Sequence, residues 1–179
     1  MKPRADDEQS QSPLSLVQEH SLTSALKLEL ERMIFDGSIA AGERLNESIL
    51  ALDDEVGRKL ASTLRADENT TLEALLRTMD KEAKAGDIRR YYPNNLHFHD
   101  LLVTYAGNGR LAEIYGRITR ELHLFRLQGL YAGGAVASNV EHWNILKAIQ
   151  SGSADRAAAA MRAHIEAARA RMLKATKQR

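Results

Sequence analysis

Cysteine is absent from this chain of 179 residues. Its absence excludes disulfide bonds and thiolate metal sites, so any metal would need nitrogen or oxygen ligands. No stretch approaches the roughly 18 consecutive apolar residues of a membrane-spanning helix. The polar N-terminus also lacks the apolar segment of a signal peptide. These absences favour a cytoplasmic protein that makes no membrane contact.

Proline and aromatic residues are scarce, with three prolines and 5% aromatic residues. Alanine is plentiful, and long runs of β-branched residues are missing, which favours helix over sheet. Hydrophobic residues make up 44% of the chain, enough to build a core. The net charge of +1 argues neither for nor against nucleic-acid binding.

Apolar residues recur at helical spacing along most of the chain, which predicts an all-α, antiparallel bundle of about six helices. Acidic residues 53–55 are interpreted as a helix start, and acidic and amide residues 67–69 as a helix break. The cationic C-terminal run, which includes Arg171, is predicted to be an exposed helix end. The predicted helices cover residues 22–35, 47–51, 53–64, 71–85, 91–106, 110–130, 138–150 and 153–174.

Three histidines lie within apolar helical stripes, each on a different predicted helix. They are His99, His142 and His164, and Asn95 shares a helix face with His99 because it lies four residues earlier. All four side chains are therefore predicted to point into the core. Converging neutral imidazoles and an amide oxygen suit a divalent metal ion. The alternative is a buried polar network of these histidines with Asn95, Glu141 and water.

Two stretches resemble the GntR family of bacterial transcription regulators, in particular members with an FCD effector domain. Residues 30–47 resemble the opening helix, turn and first strand of that family's winged helix. Residues from about 52 to 172 resemble the FCD bundle. The bundle's motifs read Asn95-x-x-Phe98-His99, Ala106-Gly107-Asn108, Glu141-His142-x-x-Ile145-x-x-Ala148-Ile149-x-x-Gly152 and Ala159-x-Met161-x-x-His164.

The resemblance implies a ligand-responsive, DNA-binding regulator that is a homodimer and not an enzyme. It implies that Asn95, His99, His142 and His164 hold a divalent metal, zinc or else nickel or another transition metal. The family usually has Asp at the first of these positions, and an uncharged amide should bind the ion more weakly. The same site would bind a small carboxylate effector.

Two arginines on the helix after Gly109, Arg120 and Arg126, are predicted to contact that effector. A guanidinium pairs with a carboxylate through two parallel hydrogen bonds. The alternative for either arginine is a position on a solvated charged face.

The predicted domain order is a disordered tail at residues 1–14, a partial winged helix at 15–51 and an FCD-like bundle at 52–179. After Ala51 the family would continue through a helix-turn-helix, a recognition helix and a wing, on the order of fifty residues. The chain passes almost directly to the bundle instead. No residue can therefore be assigned to contacts with operator DNA.

Two further functions are compatible with the same residues. One is a metal-dependent enzyme, since three histidines with an open coordination position can activate water. Against it, the only obvious general base is Glu141, which points about 100° away from His142 on its helix. The other is a dimerisation or ligand-binding module without DNA binding, which a shortened winged helix would allow.

Overall fold

Five α-helices and one short π-helical segment account for most of the residues that the computed structural model describes, which are 43–107, 109, 112–113, 115–116, 127 and 129–177. No strand occurs among these residues, so the all-α prediction is confirmed. The elements are α1 (Glu43–Thr63), α2 (Ala66–Lys84), α3 (Ile88–Tyr105), the π segment (Leu130–Gly134), α4 (Ala135–Gln150) and α5 (Ala154–Lys177).

The first described helix, α1, is longer than predicted. The expected stub at residues 47–51 and the expected new start at 53 are both wrong, because one helix runs through them. Asp53 is 1% exposed inside the helix rather than at its end. Its neighbour Asp54 pairs with Arg58 one turn later, and with Arg162 on α5. These acidic residues therefore serve packing and pairing within the bundle, not helix initiation.

The second helix also begins earlier than predicted. Residues 67–69, interpreted as a break, lie in the first turn of α2. Acidic side chains are favourable there because the N–H groups of a first turn carry partial positive charge. The carboxylate of Glu68 accepts a hydrogen bond from the backbone N–H of Arg65 at 2.9 Å. The actual break lies at residues 64–65.

The last three α-helices match their predicted ranges to within three residues at each end. Asp87 begins α3 by accepting a hydrogen bond from the backbone N–H of Arg90 at 3.1 Å, as helix-capping aspartates commonly do. The helix predicted at residues 110–130 falls mostly outside the described residues, as do residues 1–42. None of the described helices combines the length and the apolar character needed to cross a membrane.

The core forms where α2 packs against α3 and α4, and where α5 packs against α1 and α4. Its largest fully buried side chains are Tyr91, Phe98, Tyr115, Leu60, Leu72, Leu76, Met79, Leu102, Ile145, Leu146 and Ile149. Helix α5 is thus held between α1 on one side and α4 on the other. This arrangement matters because α4 and α5 each carry one of the predicted metal-binding histidines.

Helices α1 and α5 lie close together at Gly57. A Cβ atom placed there would lie 3.0 Å from the backbone carbon and oxygen of Ala157, and 3.0 Å from Cγ of Met161. Such separations are shorter than the optimum of about 3.5–4.0 Å between carbon atoms. The lack of a side chain at Gly57 therefore sets the spacing of the two helices one turn before His164.

Replacing Gly57 with leucine is expected to lower the free energy of unfolding by about 1–2 kcal/mol. Leucine is a better helix former than glycine by about 1 kcal/mol, but forcing it between two packed helices costs more, about 1–3 kcal/mol or above. Chemical denaturation measures the difference. Glu55→Leu, at an exposed position of the same helix, should change stability by no more than about 0.5 kcal/mol. Equal stability of Gly57→Leu and wild type would contradict this tight contact.

Candidate metal centre

Three histidines from three helices meet in the core. His99 on α3, His142 on α4 and His164 on α5 are 2%, 0% and 5% exposed. Their ring centroids are 5.1 Å apart for His99 with each of the other two, and 4.6 Å apart for His142 and His164. One ring nitrogen of each lies within 4.8 Å of the other two. Residues 22 to 65 positions apart in the sequence therefore form one cluster.

Helical spacing explains which residues join these histidines. Asn95, one turn before His99 on α3, is buried and lines the same small cavity as His99 and His164. By contrast His97, between them in sequence, is exposed because it points to the other side of the helix. The structure thus places Asn95 beside the cluster.

A carboxylate holds the ring of His164. Oε2 of Glu141 on α4 lies 2.9 Å from Nδ1 of His164. Burial would raise the pKa of Glu141, but hydrogen bonds from Arg171 and His164 outweigh burial and lower that pKa to about 2. Because an ionised carboxylate only accepts hydrogen bonds, Nδ1 of His164 carries the proton. In the neutral ring, the lone pair of His164 is therefore on Nε2.

A second set of hydrogen bonds reaches His142. The amide nitrogen of Asn139 donates to the carbonyl oxygen of Leu76 at 3.2 Å and to Oδ1 of Asp80 at 2.6 Å. The indole N–H of Trp143 donates to the other oxygen of Asp80 at 3.0 Å. Asn139 Oδ1 therefore faces Nδ1 of His142, at a longer 3.5 Å. This orientation favours a proton on Nδ1 and a lone pair on Nε2.

This donor set fits a divalent metal ion. A metal-bound histidine commonly donates its other ring N–H to a carboxylate or carbonyl-type oxygen, as His164 and His142 do toward Glu141 and Asn139. An ion about 2.0–2.1 Å from each nitrogen needs nitrogens roughly 3.3 Å apart. The three rings would therefore have to move closer together by on the order of 1 Å. The adjoining cavity of about 30 Å³ adds space for two water-sized groups.

Sequence reasoning misplaced one cationic residue of the site. Arg171 was predicted to lie on an exposed helix end, but its side chain is only 21% exposed and lines the cavity. Its two Nη atoms bind the carboxylate oxygens of Glu141 at 2.6 and 2.8 Å. The available signal was spacing: Arg171 follows His164 by seven residues, two helical turns, and so shares its face. The predicted effector contacts Arg120 and Arg126 lie outside the described residues.

The chain's similarity to known proteins agrees with this geometry. The family model of the FCD domain matches residues 45–167. No curated protein matches the chain. Among solved structures, a GntR protein from Streptococcus agalactiae is 26% identical, with a TM-score of 0.61. The similarity covers 74% of this chain and 61% of that one, so this chain spans less than two thirds of that relative's length. The chain belongs to the FCD domain family.

Proposed function

We propose that this chain is a ligand-responsive transcription regulator of the GntR type that senses a small organic acid at a metal-containing site. The observation that carries the proposal is the buried cluster of His99, His142 and His164, contributed by three helices of an FCD domain. Asn95 would supply an oxygen ligand to the same ion. Three imidazoles with one oxygen suit zinc, or nickel or another transition metal.

The surroundings of the cluster favour sensing over catalysis. Glu141, a carboxylate next to the histidines, already accepts hydrogen bonds from His164 and from Arg171. Its lowered pKa makes it a weak base, whereas an effective general base needs a pKa near the working pH. A bound ion would instead tie α3, α4 and α5 together. An acid that displaces a ligand or water at the ion would then alter how these helices pack.

The regulatory output would be the binding of operator DNA by a homodimer in the cytoplasm. We assign the sensing role to the bundle at residues 52–179, and a partial winged helix to residues 15–51 after a tail at 1–14. Helix α1 and the family match begin slightly earlier, at residues 43 and 45. No residue is assigned to DNA contact. An acid can affect DNA binding only if it binds the two arrangements of the dimer with different affinities.

Thermal unfolding of the full chain with small carboxylates tests this proposal. Acetate, lactate, succinate and citrate are added to the zinc-loaded protein and, separately, to protein with a chelator. At least one acid is expected to raise the melting temperature, and more so with zinc, because a ligand that binds only the folded state stabilises it. A gel shift on the DNA upstream of its own gene, with and without that acid, tests the output.

Two outcomes would contradict the proposal. If zinc binds but no acid changes the melting temperature, a structural ion is the better explanation. If the acid binds but the protein shifts no DNA at any concentration of the acid, the chain is a ligand-binding module without DNA binding. Turnover of an acid by the zinc-loaded protein would instead support an enzyme.

A further inference from the structure

The geometry points to Arg171 as the residue that binds the carboxylate of the effector, with Glu141 holding its guanidinium in place. The inference rests on the proposed sensing function and adds to it the residue that recognises the acid. Arg171 lies after residues 45–167, the part of the chain that the FCD family model matches. The other polar residues that line the cavity, Asn95, His99, Ser138 and His164, lie within the matched range.

The position of Arg171 gives the cavity its charge. Among the described residues that line the cavity, Arg171 alone carries a full charge at neutral pH when the histidines are neutral. The other lining side chains that can form hydrogen bonds are Asn95, His99, Ser138 and His164. Glu141 compensates part of this charge, but it is not among the residues that line the cavity. The charged group facing the cavity is therefore the guanidinium, which favours a bound anion over a cation.

The guanidinium of Arg171 retains donors for a second carboxylate. It carries five N–H groups, and Glu141 accepts one from each Nη atom. Within the described part of the chain, the bonds to Glu141 use two of the five N–H groups and leave three, one on Nε and one on each Nη. Since a carboxylate binds an edge of the guanidinium through two parallel hydrogen bonds, Glu141 and a ligand can occupy two different edges of the same planar group.

Two neighbours hold Arg171 in the orientation that this role requires. Glu141 fixes the guanidinium through its paired hydrogen bonds, and is itself held by His164. Gly134 leaves room for the arginine stem, because a Cβ atom there would lie 2.8 Å from Cδ and 3.3 Å from Nε of Arg171. The donors are therefore positioned before a ligand arrives, which lowers the entropic cost of binding.

The size of the cavity indicates which part of the ligand it holds. Its volume of about 30 Å³ corresponds to roughly two water-sized groups, which is also about the size of the two oxygens of a carboxylate. We therefore expect the carboxylate of a small acid to sit between Arg171 and the histidine cluster, within reach of Ser138. This placement puts the acid beside the proposed ion and makes it bridge α4 and α5.

Nuclear magnetic resonance of the full chain tests the assignment. The Nε–Hε resonance of Arg171, assigned in the wild type, is followed during titration with acetate, lactate, succinate and citrate. At least one acid should move it saturably. Arg171→Lys should weaken that acid's binding at least about tenfold, because an ammonium cannot offer paired donors to two carboxylates. Arg162→Lys, on the same helix but paired with Asp54 outside the site, should change the affinity less than about twofold.

Zinc binding is measured on the same samples so that two failures can be told apart. If none of the four acids moves the resonance, or if Arg171→Lys binds them as tightly as wild type, the assignment to Arg171 is overturned. If zinc binds and the acid binds equally well without Arg171, the proposed metal site is still supported although the assignment to Arg171 is not. If the acid binds only when Arg171 is present and zinc does not bind at all, the assignment to Arg171 is supported and the metal is removed from the proposed function. Even if the Arg171→Lys protein unfolds, the titration of the wild type still tests whether an acid binds at Arg171.

Discussion

Zinc is expected to raise the free energy of unfolding of the wild-type chain by about 3–4 kcal/mol when its free concentration is about 100–1,000 times the dissociation constant. For a domain of this size the increase corresponds to a melting temperature roughly 10 °C higher. The reason is that the three histidines come together only in the folded state, so the ion binds that state alone. His142→Ala is expected to abolish most of this stabilisation.

His142 is the most informative histidine to remove. It is fully buried and its ring contacts both His99 and His164, so its loss leaves an ion with two imidazoles. The readout is the difference in melting temperature between zinc and chelator for each variant, which separates metal binding from any stability lost through the substitution itself. His97→Ala, an exposed histidine on α3, is the control and should keep the full zinc effect. A full zinc effect in His142→Ala would rule out this cluster as the binding site.

The fold was predictable where apolar spacing is regular. Helices α3, α4 and α5 each carry a regularly spaced apolar stripe, and their predicted ranges agree with the structure to within three residues. The starts of α1 and α2 were not predicted, because acidic residues occur both in the first turn of a helix and in its interior. At 53–54 they lie inside a helix, where Asp54 pairs with arginines, and at 67–68 they lie in a first turn. Only the position of the neighbouring helix distinguishes these cases.

The centre of the candidate site was predictable and its surroundings were not. His99, His142 and His164 stand out because a polar residue inside an apolar stripe must find partners in the core. Asp80 does not stand out, and the spacing that places Arg171 on the face of His164 does not reveal its partner, because each makes its contact across an interface between two helices. Asp80 acts through Asn139 on α4, and Arg171 through Glu141 on α4. Such contacts depend on how the helices are rotated about their axes, which one sequence does not specify.

Phe98→Ala is expected to lower the free energy of unfolding by about 3–5 kcal/mol and to loosen the histidine cluster. Phe98 is fully buried, and removing a buried aromatic ring loses its transfer free energy and leaves a cavity. Its ring centroid lies 4.8 Å from that of His142 and 5.5 Å from that of His99. The cavity would therefore open beside two of the three imidazoles, which could then adopt other rotamers.

Two measurements separate the loss of stability from the loss of order at the cluster. Chemical denaturation gives the free energy of unfolding, and the imidazole resonances of His99 and His142 report on their surroundings in the folded state. Leu72→Ala, which removes an equally buried side chain on α2, should cost about 2–5 kcal/mol and leave those resonances nearly unchanged. Phe98→Ala should lower stability, shift the resonances and weaken zinc binding. Unchanged resonances and zinc affinity in Phe98→Ala would show that the hydrogen bonds that His164 and His142 donate to Glu141 and Asn139 hold the histidines without the aromatic ring.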